Sequence, residues 1–162
     1  MLFEFLNFKD LHNDKFKEEA KKRIGQIIDD NSYVEGKYNF STEKKLAEYC
    51  QSKHALLVAN GTDALEISLQ ALGVSHGDLV GVPGVTFYAT AEAVINMGAI
   101  PVFIDVDPLS GLLDPESLKR VIKDQKLKAI IPVHIYGLPA PMKTIESICE
   151  KENILIVEDR KS

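Results

Sequence analysis

The sequence predicts an α/β fold, and three observations carry the prediction. From His54 onward, short apolar runs alternate with longer runs of helical periodicity. The apolar runs are near-continuous rather than alternating, as in strands of a parallel sheet covered by helices on both faces. Several helical runs are followed by Gly or Asn, residues that stop helices: Gly73, Gly98 and Asn153.

Taken in order, Asp14 to Asp30 predicts an amphipathic helix, with Phe16, Ala20, Ile24, Ile27 and Ile28 at helical spacing and charges between them. Asn31 to Phe40, containing Gly36 and Asn39, predicts a loop. Ser41 is placed to cap a second helix running to about Gln51 with Leu46 and Ala47 inward. The predicted strands are then Ala55–Ala59, Leu79–Pro83, Val102–Val106, Ala129–Val133 and Ile154–Val157. Between them run helices Thr62–Leu72, Tyr88–Met97, Pro115–Lys123 and Met142–Lys151. Asp114-Pro115 supplies a cap followed by proline in the first helical turn. Right-handed crossovers are expected between the parallel strands.

Composition narrows the function classes. The chain has 162 residues, 45% hydrophobic and 27% charged, with a net charge of −5. That suits one compact domain and gives no basic face for nucleic acid. No apolar run reaches the ~20 residues of a membrane-spanning helix, and Met1 to Asp10 lacks the basic leader and cleavage site of a signal peptide. Cys50 and Cys149 are far apart in helical runs, which predicts reduced, buried thiols in a cytoplasmic protein. His12, His54, His76 and His134 have no metal-ligand spacing, so no metal is expected.

In such sheets ligands sit beyond the carboxyl ends of the strands. The junction Asn60-Gly61-Thr62-Asp63 offers free N–H groups, a helix dipole and a hydroxyl, a combination that suits a phosphate. A capped turn without a ligand accounts for it equally well. No Gly-x-Gly-x-x-Gly and no Gly-Lys-Ser/Thr is present, which argues against a dinucleotide or an NTP phosphate loop. Glu158-Asp159 ends an apolar strand; an acid there suits a cap, a metal or a cationic ring nitrogen. Phe87 reads as core, lid or stacking plate, and His134 as a hydrogen-bonded histidine rather than a catalyst. Asp105 and Asp107 read as a polar turn ahead of Pro108, and neither cysteine has an adjacent base that would make it a nucleophile.

Six segments in register carry a family resemblance: NGTDAL at Asn60–Leu65, VPGVTFYAT at Val82–Thr90, GAIPVFIDVDP at Gly98–Pro108, LLDPESL at Leu112–Leu118, AIIPVHIYGLPAPM at Ala129–Met142 and ILIVED at Ile154–Asp159. In this order and spacing they resemble the N-terminal half of the DegT/DnrJ/StrS family. Its members are sugar aminotransferases dependent on pyridoxal 5'-phosphate (PLP), of the aspartate-aminotransferase fold (fold type I). The resemblance implies residues 1–40 as an N-terminal arm and helix, and 41–162 as part of a PLP-binding large domain, a mostly parallel sheet flanked by helices. The small C-terminal domain is expected to be absent. It implies that Gly61, Thr62 and Asp63 hold the cofactor phosphate, that Phe87 stacks on the pyridine ring, and that Asp159 pairs with the protonated ring nitrogen. His134, Tyr136 and Gly137 match a family motif and receive no chemical step. The family's partners would be a nucleotide-linked keto-sugar and a glutamate amino donor, and its habit of completing each site from a neighbour makes a homodimer the expected assembly.

The match stops after Asp159. Family members continue with Ala-Ala-Gln, where this chain reads Arg160-Lys161-Ser162, and an interrupted reading frame is the expectation. The family's Schiff-base lysine lies further downstream, and Lys161 is too close to the ring-nitrogen partner to reach the opposite side of the ring. No catalytic residue is therefore assigned, and no useful transamination is expected of this chain alone. The run Ala55–Ala59 is expected to lack its usual neighbouring strand and to expose an edge. Two other readings remain open: a non-catalytic binding or interaction module, and the lineage of related sugar dehydratases, in which histidine replaces the lysine.

Overall fold

The computed structural model describes residues 12–160, so Met1–Asp10 and Lys161 lie outside the described residues. The elements are α1 (Asp14–Asp29), α2 (Lys37–Tyr49), α3 (Gly61–Ala71), β1 (Leu79–Pro83), α4 (Ala89–Asn96), β2 (Ile100–Ile104), α5 (Pro115–Asp124), β3 (Ala129–Ile130), a 3₁₀ turn (Ile135–Gly137), α6 (Met142–Glu152) and β4 (Leu155–Ile156). They fall into two compact units, one ending at Leu57 and the other beginning at Val58.

In the first unit Asn13 caps α1, its side chain accepting from the Phe16 N–H at 2.9 Å. The turn after α1 is clasped by Asp30, which accepts from the Tyr38 hydroxyl at 2.5 Å and pairs with Lys37 Nζ at 2.6 Å. That clasp corrects the expected loop to Phe40. It ties Lys37 and Tyr38 down, and the second helix starts at Lys37, with Ser41 inside it rather than capping it. Neither α1 nor α2 contains a buried residue. Cys50, expected to be buried, is exposed; it is the C-cap of α2. Residues 54–58 form no strand, although Ala55–Ala59 was expected to be one. An apolar run becomes a strand only by pairing its backbone, and none of the described strands pairs with it. Leu56 is accordingly 72% exposed.

The second unit is built on a four-stranded parallel sheet of order β2-β1-β3-β4. The predicted β1 is found unchanged, while β2 begins two residues earlier than expected. Its burial also differs. β1 is closed from Val80 to Pro83, but β2 leaves Ile100 and Phe103 more than half exposed because it is the edge strand. Pro101 is tolerated there, since an edge strand has backbone groups with no ladder partner.

One face of the sheet carries α3 and α4 over a core of Leu65, Leu69, Val80, Val82, Val94 and Ile131. The other carries α5 and α6 over Ile104, Leu113, Leu118, Ile130, Ile145 and Cys149. Right-handed crossovers require this division, because the chain moves one way across the sheet through α4 and the other way through α5 and α6. Asp114 caps α5 by accepting from the Glu116 and Ser117 N–H groups at 3.0 Å each, with Pro115 in the first turn, as its sequence predicted. Gly73 and Gly98 close α3 and α4 at φ of +75° and +70°, conformations that glycine takes without strain.

Candidate functional site

The strand order fixes where a ligand would lie. The connection from β1 leads to β2 on one side, and the connection from β3 leads to β4 on the other. The topological switch point of this open α/β sheet therefore lies between the carboxyl ends of β1 and β3, the place where such sheets bind ligands. It is bordered by the residues after Pro83 and after Ile130, and by the continuation of β4 to Asp159.

Asp159 is pinned to the neighbouring strand. Its N–H donates to the Pro132 carbonyl at 3.0 Å, and its carbonyl accepts from the His134 N–H at 2.9 Å. Its carboxylate accepts from the Thr90 hydroxyl at 3.1 Å, and Thr90 in turn lies 2.9 Å from the Thr86 hydroxyl. Thr90 is fully buried in the first turn of α4, so the carboxylate is held at the mouth of the switch point by an element of the α3/α4 face. Phe87, on the same loop, is 52% exposed, with its ring 4.4 Å from that of Tyr88. A half-exposed aromatic ring beside the switch point offers a plate for a flat heterocycle.

The neighbouring Glu158 is also held. The His134 ring takes the Ala140 N–H on Nδ1 at 2.9 Å, so in the neutral ring Nε2 carries the proton and donates to Glu158 Oε2 at 3.0 Å. Arg160 reaches the same oxygen at 3.3 Å. The His134 hydrogen bond, helped by the Arg160 charge, holds the Glu158 carboxyl below the ordinary carboxylate range against the opposite pull of burial. His134 is thus a satisfied, structural histidine, as its sequence context suggested. Tyr136, two residues on, has φ of +53° and is 89% exposed.

The start of α3 lies at the same end of the sheet. The turn after α3 meets the turn after α4, with the Gly77 N–H donating to the Gly98 carbonyl at 2.9 Å, and the Gly98 turn leads directly into the amino end of β2. Both helices therefore run away from the carboxyl ends of the strands, where they begin. Asn60 caps α3 by accepting from the Asp63 N–H at 2.9 Å. The Asp63 donor is spent on that cap, which leaves the N–H groups of Gly61 and Thr62 as the free donors of the first turn. A Cβ at Gly61 would meet nothing within 4 Å, so the space beside this turn is open. Taken one by one, the donors and dipole suit a phosphate, the aromatic plate a flat ring, and the fixed carboxylate a cationic ring nitrogen.

Thr86 and Thr90 were not singled out in the sequence. Thr86 lies in the loop before α4 and Thr90 in its first turn, four positions apart, and the partner of Thr90, Asp159, is 69 residues away. Asp107 closes the expected polar turn, accepting from Leu109 and Ser110 N–H groups. A cavity of about 280 Å³, lined by residues such as Lys123, Leu127, Glu152 and Ile154, lies at the amino ends of β3 and β4 and so away from the ligand end of the sheet. Among the described residues no group of three His, Cys, Asp or Glu is placed to share a metal ion, and no helix is long and apolar enough to cross a membrane.

The family model of the DegT/DnrJ/EryC1/StrS aminotransferases matches residues 14–161. UDP-2-acetamido-2-deoxy-3-oxo-D-glucuronate aminotransferase of Pseudomonas aeruginosa is 39% identical over 158 residues, 98% of this chain and 44% of that protein. Among solved structures, DesV of S. venezuelae superposes with a TM-score of 0.91 at 33% identity, covering 96% of this chain and 42% of that one. NtdA of Bacillus subtilis, solved with bound cofactor PMP, gives a TM-score of 0.91 at 30% identity, with 97% and 36% covered. The chain thus spans less than half the length of these relatives.

Proposed function

The chain belongs to the DegT/DnrJ/EryC1/StrS aminotransferase family, and from that premise we propose that its second unit is the PLP-holding part of an aminotransferase for nucleotide-linked keto-sugars, with glutamate as amino donor. The reading extends to a cytoplasmic protein that works as a homodimer. The observation that carries it is the Asp159 carboxylate, fixed by buried Thr90 at the switch point, with the open start of α3 at the same sheet end.

PLP, when bound, supplies an electron sink for a carbanion at the substrate carbon. The residues of this chain serve it in distinct ways. Gly61 and Thr62 would donate to the phosphate from the first turn of α3, with the positive end of the helix dipole behind them. Phe87 would cover one face of the ring and exclude water from it. Asp159 would accept from the ring N–H and hold the proton there, which keeps the nitrogen cationic. No residue of these 162 is assigned the role of covalent lysine. The stretch on its own is therefore proposed to bind without turning over, and a binding module without chemistry is the alternative reading that the same observation favours.

Equilibrium dialysis of the chain against PLP tests the proposal. Wild type should bind, and Asp159→Ala should raise Kd by about tenfold or more, as expected for loss of a charge-assisted hydrogen bond. Equal binding by the variant, or none by wild type, overturns the reading. Borohydride treatment separates the alternatives, because a covalently fixed cofactor would assign a lysine of this chain to catalysis.

A further inference from the structure

We infer that Thr86 and Thr90 form a directed hydroxyl relay that positions the Asp159 carboxylate for its ring-nitrogen partner; this rests on the cofactor reading above. The direction follows from the acceptor at its end. An ionised carboxylate has no proton to give, so the Thr90 hydroxyl donates to Asp159 Oδ2 at 3.1 Å. Thr90 has then used its only proton. The 2.9 Å contact with Thr86 is satisfied only if Thr86 donates to Thr90. The chain of donation runs Thr86 to Thr90 to Asp159, each hydroxyl polarising the next.

Three features give the relay a positioning role rather than a packing one. Thr90 is fully buried, so its hydroxyl has no water to fall back on and its orientation is set by the two partners. It occupies the first turn of α4, an element packed on the sheet, so the donor is held by the scaffold and not by a loop tip. The relay takes one carboxylate oxygen, Oδ2, and leaves Oδ1 for a ligand. With the backbone of Asp159 already fixed on both sides by Pro132 and His134, the side-chain torsion is the remaining freedom. The hydroxyl removes it. Thr86 and Thr90 are positioning residues, acting through Asp159, and neither touches the reacting atoms.

The test uses the whole chain and two probes without an aldehyde, so that no lysine is involved: 4'-deoxypyridoxine 5'-phosphate, and its analogue with C–H in place of the ring nitrogen. Thr90→Val keeps the shape and removes the hydroxyl. It should weaken the pyridine probe by about tenfold, the usual worth of a hydrogen bond that orients a charge, and the carbon analogue by less than about twofold. Thr90→Ser should restore the difference, and Thr86→Val should give a smaller loss of the same kind. Equal weakening of both probes, or none, overturns the relay, since packing damage would not distinguish nitrogen from carbon. If wild type binds neither probe, it is the cofactor reading that has failed. The relay is then decided without ligand by hydroxyl proton exchange in NMR: the Thr90 proton should exchange slowly in wild type and faster in Asp159→Ala. Equal exchange in both proteins would sink it.

Discussion

The two units of this chain have the same kinds of residue at helical spacing and use them in opposite ways. In α1 the stripe of Phe16, Ile24 and Ile28 is more than half exposed, and α1 and α2 bury no residue at all. In the second unit every helix buries at least two residues, because each lies on a sheet face that supplies the complementary surface. Amphipathic periodicity therefore states that a helix has a face to bury, and tertiary partners decide whether it is buried. The difference also sets where substitutions should hurt.

Large-to-small changes should separate the units most strongly. Ile145 is fully buried between α6 and the sheet. Ile145→Ala should cost about 2–5 kcal/mol, the transfer term plus the cavity left behind. Ile24 is 58% exposed, and Ile24→Ala should stay within about 0.5 kcal/mol. Urea unfolding of both variants checks the contrast, and equal losses would mean that α1 packs on a surface it does not show here.

Glycine-to-alanine changes sharpen the same contrast with opposite signs. A Cβ at Gly81 in β1 would come within 2.8 Å of both Ile104 Cδ1 and Ile130 Cγ2, so Gly81→Ala should overpack the sheet core at a cost of about 1–3 kcal/mol. A Cβ at Gly25 in α1 meets nothing within 4 Å. Gly25→Ala should stabilise by about 0.5–1 kcal/mol through helix propensity alone. Thermal melts of the pair should move in opposite directions.

What the sequence made legible follows the same line. β1, the Asp114-Pro115 cap and the Gly73 and Gly98 stops depend on neighbours in the chain, and they stand where expected. The parallel sheet with helices on both faces also stands as expected. The run Ala55–Ala59 read as a strand because its residues suit one, but pairing is a property of partners. Cys50 read as buried from its helix, and whether a helix is covered is again decided elsewhere. At the site, Gly61, Phe87 and Asp159 were visible as residues after apolar runs that suit strands, whereas Thr90 gains its meaning only from contact with Asp159 across 69 positions.

The smallest effect compares two carboxylates with similar partners. The Asp30 side chain is 39% exposed, and its carboxyl is lowered first by the hydrogen bond from Lys37 and then by that from Tyr38. Water screens such a pair, and Asp30→Asn should leave the unfolding midpoint of the second unit where it was. Glu158 is lowered first by the hydrogen bond from His134, and its side chain is similarly exposed, at 33%. Its folded-state value lies below the unfolded value, so the stabilisation is present above the unfolded value near 4.5 and is lost as pH falls through the folded one. Partial exposure keeps the contribution below ~1 kcal/mol. Glu158→Gln should therefore be slightly less stable than wild type at neutral pH, and the two denaturation curves should converge on acidification. If they stay apart in acid, the loss comes from the Gln side chain's packing against His134 and not from charge. The strand end would then owe its order to the backbone bonds of Asp159 alone.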